Sequence, residues 1–304
     1  MSSNTQRTFI PGSEWIYYKL YSGTKSADKI LINYILPIIE DLLESKTIDN
    51  WFFIRYADPD EHIRLRLHLI DITDYGSVVL KLSEILKQLN ESGVIWKIQM
   101  DTYNREIERY GVKSIPVLEK LFCVDSYSIL QILKSVKSDR EIGFIAIYLI
   151  NSLLSSFDYS TSEKYDIIER WHQGLGIEFN LDKNLRVQLD NKFRKDRADI
   201  TDSFDINKYE KEMNTILVNR EYQSNAIVDI IKELHKNNLV EIDKISLANS
   251  ICHMTMNRLF RSKPRLSEMV VYGLMSRYYK SLLAIEKKSF NSVKKQLPNT
   301  EVLA

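Results

Sequence analysis

Between Trp51 and His68 the chain reads W-F-F-I-R-Y-A-D-P-D-E-H-I-R-L-R-L-H. From Glu61 onward it alternates strictly, with Ile63, Leu65, Leu67 and Leu69 interleaved with His62, Arg64, Arg66 and His68. Period-2 alternation belongs to a strand and sends successive side chains to opposite faces. One face must then lie on an apolar core, and the other carries four basic groups. Asp58-Pro59 supplies turn chemistry. The segment therefore predicts two antiparallel strands with positive charge gathered on one face, which calls for an anion. On a strand, same-face neighbours stand roughly 7 Å apart, twice the rise per residue. Arg64 and Arg66 are thus spaced to hold two carboxylates of one small ligand, each by a forked pair of hydrogen bonds. The bland alternative is a charged edge that discourages aggregation.

The flanking sequence fixes the context. Trp15 to Tyr21 (W-I-Y-Y-K-L-Y) is strand-like, and Ser22-Gly23 ends it. Asp28 to Leu43 carries apolar residues at helical spacing, interrupted at Pro37, where a kink or break is expected. Tyr75 to Leu89 is a second amphipathic helix closed by Gly93, and Val94 to Tyr103 reads as a fourth strand. The order β-α-β-β-α-β is the split βαβ, ferredoxin-like arrangement, with two helices on one sheet face. After Gly111 strand patterns disappear. Pro116–Val136, Glu141–Phe157, Ser162–Gln173, Asp182–Arg194, Tyr222–Asn237, Asp243–Phe260 and Leu266–Lys287 favour helix. Arg194 to Tyr209 reads as a charged linker or exposed excursion. The first residues and everything from Ser289 read as loose, solvated ends. The fold class expected is α+β: a ferredoxin-like part over 1–112 and an all-α part over 113–304 packed on it, together one domain.

Composition removes several function classes. Lysines and arginines number 42 against 41 acidic residues, so nothing draws the whole chain to nucleic acid and a basic site must be local. Cys123 and Cys252 lack metal-ligand spacing, which argues against a disulfide framework or a zinc site and fits a reducing, cytoplasmic setting. The run from Gly143 to Leu154 is too short to span a bilayer. Glycine-rich phosphate loops, G-x-S-x-G, H-E-x-x-H and C-x-x-C are missing, so no cofactor or metal is implied.

Two further constellations stand out. In D-T-Y-N-R-E-I-E-R-Y-G, Asp101 to Gly111, Glu106 and Arg109 share a face if the segment turns helically; the alternative is an ordinary charged turn. In Ser246 to Phe260, Leu247, Ile251 and Met254 form a buried stripe, and Asn249, His253 and Asn257 form a polar stripe beside it. A histidine so placed, ordered by an amide one turn away, can move a proton near neutral pH, although a lone helical histidine is more often structural. Cys252 and His253 diverge by roughly 100° on a helix and do not make a nucleophile pair. His172 and His235 read as surface or capping residues.

These segments, in this order, resemble one family. W-I-Y-Y-K-L-Y, W-F-F-I-R-Y-A-D-P with H-I-R-L-R-L, Y-N-R-E-I-E-R-Y-G, E-K-L-F-C-V-D-S and H-M-T-M-N-R-L are similar to the C-terminal elimination domain of lantibiotic dehydratases, which also occurs alone as a thiopeptide-type bacteriocin biosynthesis protein. The resemblance runs from about Ser13 to Lys287; Val112 stands where the family usually has a second glycine. It implies a lyase that removes glutamate from glutamylated Ser or Thr of a ribosomal precursor peptide, leaving dehydroalanine or dehydrobutyrine. It implies as catalytic residues His253, Arg64 and Arg66. Arg55, Lys19, Glu106, Arg109 and Asn257 are candidates for binding or ordering the substrate, and Lys25 is a further candidate cation. The partners implied are the glutamylated peptide and a separate glutamylation protein, with no direct nucleic-acid contact and no membrane span; a homodimer is left open. Two alternatives remain: a [4+2] cycloaddition that builds the pyridine of thiopeptides, and a non-catalytic subunit that binds a leader peptide or partner.

Overall fold

A computed structural model describes residues 5–296 of the chain. Its elements are β1 (Thr8–Phe9), β2 (Trp15–Ser22), α1 (Thr24–Ile30), α2 (Leu36–Glu44), β3 (Ile48–Ala57), β4 (Glu61–Leu69), α3 (Tyr75–Glu91), β5 (Ile95–Met100), β6 (Tyr103–Asn104) and α4 (Ile107–Tyr110). The helices α5 (Ile115–Ser135), α6 (Asp139–Ser156), α7 (Thr161–Glu178), α8 (Lys183–Lys195), α9 (Arg197–Asp202), α10 (Lys211–Lys236), α11 (Lys244–Leu259) and α12 (Pro264–Gln296) follow. An α+β N-terminal region thus leads into an all-α C-terminal region.

The sheet runs β3-β4-β2-β5 with every neighbour antiparallel, so β4 and β2 are central and β3 and β5 are edges. Register sets the faces. Arg66 lies between Tyr17 and Phe52, Arg64 between Lys19 and Ile54, and His62 between Tyr21 and Tyr56. The other face carries Ile16, Leu20, Phe53, Ile63, Leu65 and Leu67, all buried with α1 to α3 in the main core. Pro37 does not break its helix. A π-helical turn, Leu31–Ile35, joins α1 to α2; the wider turn accommodates a residue that cannot donate to the carbonyl four positions back.

The helical region seals the free edge of β3. Ser126 Oγ accepts from the Phe53 N–H at 3.2 Å, and Arg258 Nε donates to the Phe53 carbonyl at 2.9 Å. Asn257 accepts from the Arg55 N–H at 2.9 Å and donates to the Arg55 carbonyl at 2.8 Å. Side chains of α5 and α11 thereby satisfy backbone groups that an edge strand would leave to water.

Some expectations need correction. Val94 to Tyr103 is not one strand. It is β5 and, after a break, β6, which pairs with β1 in the N-terminal stretch expected to be loose. Arg194 to Tyr209 is not a linker: it holds α9, Asp196 and Ser203 are buried, and Phe204 stacks on Tyr278 with centroids 3.9 Å apart. The helix expected from Tyr222 begins at Lys211. His172 is buried against the Met269 carbonyl at 3.1 Å rather than exposed or capping. The end expected to loosen from Ser289 is helical through Gln296, and the rest of that stretch lies outside the described residues.

Candidate active site

The basic face is covered at one end and open at the other. At the covered end Arg66 is 7 % exposed. Its guanidinium sits 4.4 Å from the Tyr17 ring centroid, 4.7 Å from Tyr103 and 5.2 Å from Phe52. Aromatic faces attract a cation but do not accept five N–H donors in the plane. Among the described residues Arg66 has no hydrogen-bond acceptor and no ion-pair partner, and its Nε is buried without one.

At the open end Arg64 lies over the Tyr56 ring at 3.4 Å, and its Nε donates to His62 Nε2 at 3.1 Å. His62 Nδ1 faces the Asp60 carbonyl at 2.8 Å and must carry the proton there, which leaves Nε2 as the acceptor. Burial lowers the His62 pKa, and Arg64 and Lys19 push the same way. The neutral tautomer that seats Arg64 is therefore the favoured one. Lys19 is ion-paired with Asp101, and that hydrogen bond raises the lysine pKa.

Arg55 is on the opposite face from Arg64 and Arg66, because it pairs across from Ile63. Its Nη2 meets Asp28 of α1 at 2.6 Å and its Nε donates to the Arg258 carbonyl at 3.0 Å. Burial lowers its pKa in spite of Asp28.

The α11 helix lies over the covered end. Met254 and Arg258 line a cavity of about 30 Å³ together with Arg66, Phe52, Tyr103 and Glu106. Arg109, in α4, bonds Glu106 at 3.4 Å and Ser250 of α11 at 3.3 Å. Ser250, His253, Met254 and Asn257 recur at helical spacing and share one side of α11. Both amide atoms of Asn257 are engaged by the Arg55 backbone.

His253 is not ordered by a neighbouring amide. Its Nδ1 lies 2.6 Å from Glu268 Oε1 in α12, and the Glu268 side chain is 1 % exposed against 24 % for His253. Glu268 is held in turn by Arg265 at 3.0 Å, which is clamped by Glu178. A buried carboxylate on Nδ1 favours the tautomer with its proton there and fixes the ring plane. Sequence reading missed Glu268. Its signal is an acidic residue one and two turns before Tyr272 and Met275, on the buried stripe of α12.

Two buried ion clusters support this arrangement and were also missed. Asp125 of α5 accepts from Arg220 at 2.7 Å, from Arg258 at 3.0 Å and from Thr255 at 3.2 Å. Glu119 takes both arms of Arg105, at 2.7 and 2.6 Å, and the Tyr103 hydroxyl at 2.7 Å. The Arg105 pair thereby fixes Tyr103, one wall of the Arg66 cage.

Comparison with known proteins agrees with this architecture. Residues 15–279 match the family described as lantibiotic biosynthesis dehydratase C-term. The chain is 26% identical over 273 residues to the nisin biosynthesis protein NisB of Lactococcus lactis subsp. lactis, covering 85% of this chain and 26% of that one. It is 26% identical over 278 residues to the subtilin biosynthesis protein SpaB of Bacillus subtilis, covering 88% and 26%. It therefore spans about a quarter of the length of these curated relatives. Among solved structures, the tRNA-dependent lantibiotic dehydratase MibB of a Microbispora species superposes with a TM-score of 0.70 at 18% identity, over 90% of this chain and 29% of that one. The pyridine synthase TbtD of thiomuracin biosynthesis superposes with a TM-score of 0.65 at 10% identity, over 90% of this chain and 100% of that one. The chain belongs to the lantibiotic biosynthesis dehydratase C-terminal family.

Proposed function

We propose that this protein is a lyase that eliminates glutamate from glutamylated Ser or Thr residues of a ribosomal precursor peptide. The observation that carries the reading is Arg66, a buried guanidinium that no described carboxylate neutralises, on a face overlaid by the helix that holds the His253–Glu268 pair. In the reaction His253 Nε2 takes the Cα proton of the esterified residue. The Cα–H electrons form the Cα–Cβ double bond, the Cβ–O bond breaks, and glutamate leaves as a carboxylate. Its conjugate acid has a pKa of about 4, so the leaving group needs no general acid, but its developing charge gains from cations fixed in a water-poor site. Arg66 and Arg64 supply them. Arg109, Lys19 and Glu106 order the rim, and Arg55 and Asn257 hold α11 to the sheet. Glutamate is attached before the peptide reaches this site. We class the N-terminal part as ferredoxin-like, a reading supported by the strand order β3-β4-β2-β5 and by helices on one face.

A second reading has one observation in its favour: the likeness to TbtD takes in the whole of that pyridine synthase. Here the same cleft would join two dehydroalanines by [4+2] cycloaddition. Incubating a glutamylated peptide with the protein, followed by mass spectrometry, separates the readings. Loss of glutamate with a new alkene is the expected result. Ring closure of a dehydrated peptide with loss of its leader would replace elimination by cycloaddition. Binding without any mass change would leave a peptide-binding subunit.

A further inference from the structure

The cavity between Arg66 and Arg258 has room for one or two particles of water size, at about 30 Å³. Both arginines are more than nine-tenths buried, at 7 % and 1 % exposure. Each keeps an N–H without an acceptor, Nε on Arg66 and Nη2 on Arg258. The other arms of Arg258 are taken by the Phe53 carbonyl and Asp125. Charge is unbalanced as well. Arg258 and Arg220 share a single buried carboxylate, Asp125, Glu119 is committed to Arg105, and Arg66 has no ion-pair partner among the described residues. Glu106 also lines the cavity, but its side chain is 58% exposed and is directed to Arg109. Water could accept from both arginines without neutralising either, and an uncompensated buried charge is the costly case.

We infer that this cavity is a binding site for a single monoatomic anion, a halide, coordinated by Arg66 and Arg258 beneath the proposed substrate face. The site follows from burial, volume and charge, and it takes the buried Nε of Arg66, leaving the Nη groups of that guanidinium for the carboxylate of the proposed reaction. A halide is small enough for a space of this volume, and both arginines with a free N–H line it.

The test uses crystals of the full-length protein grown in sodium bromide, with anomalous diffraction at the bromine edge. Thermal unfolding of wild type and Arg66→Met is measured in parallel, in bromide and in gluconate at equal ionic strength. Arg66 makes no hydrogen bond, so its replacement by methionine leaves no acceptor orphaned. An anomalous peak between Arg66 and Arg258 is expected. So is a saturable rise of Tm in bromide over gluconate that Arg66→Met abolishes. An absent peak with equal Tm in the two salts would overturn the site, and so would a bromide shift that survives in Arg66→Met. Glutamate elimination in the absence of a bromide peak would sink this inference alone and leave the elimination reading standing.

Discussion

At the scale of single residues, the division of labour between His253 and Glu268 makes separable predictions. In the proposed reaction the histidine is the base and meets the reacting atoms, whereas the glutamate acts through it. His253→Ala should therefore lower glutamate elimination by about 10²–10⁴-fold, the usual range for a positioned base. Peptide affinity should hardly change, because the arginines that hold the anion are intact; equal turnover by wild type and variant would remove His253 from the mechanism. Glu268→Gln keeps the shape but swaps a carboxylate acceptor for an amide that can present its N–H to Nδ1. The ring then loses the partner that favours a proton on Nδ1. Elimination should fall and its pH–rate profile should move, whereas a purely structural role would lower Tm and leave the profile in place.

The scale of elements shows what the sequence disclosed and what it withheld. Alternation over His62 to Leu69 identified the basic face because a strand's side-chain direction is a local property. The face taken by Arg55 depends on pairing register through the turn at Asp58–Asp60, and only the sheet reveals that it stands with Phe53 rather than with Arg64. The pairing of Glu268 with His253 was invisible because it depends on the reversal between α11 and α12, where Lys263 adopts a φ of 47°. Arg194 to Tyr209 misled because most of its charges are on the outward side while Asp196, Ser203 and Phe204 point in. The clasp of Asn257 on Arg55 is likewise a tertiary fact. Asn257→Leu should cost about 1–3 kcal/mol in a denaturant titration, since it strands a backbone donor and acceptor. Activity should fall further than stability, because α11 carries His253; a fully active but destabilised variant would show that the clasp does not set the site.

At the scale of the whole molecule, pH reaches the fold through its buried histidines. Burial lowers the pKa of His172 and of His62 from an ordinary value near 6.5. A lowered histidine is neutral in the folded chain at a pH where the unfolded chain already takes up a proton, so the unfolded state binds more protons and acid destabilises the native state. Stability should be level above about pH 7 and decline as pH falls from 6.5 toward 5.5, with Tm measured across that interval. His172→Gln should flatten part of the slope, and a Tm indifferent to pH in that window would refute the argument. The sealed edge of β3 has a reach of its own. Through Ser126, Asn257 and Arg258, two helices act as a surrogate fifth strand and close the ladder on that side. An extended peptide cannot add itself to the sheet there, which leaves the far edge at β5 or the basic face as its way in, and of those two only the basic face leads to Arg66.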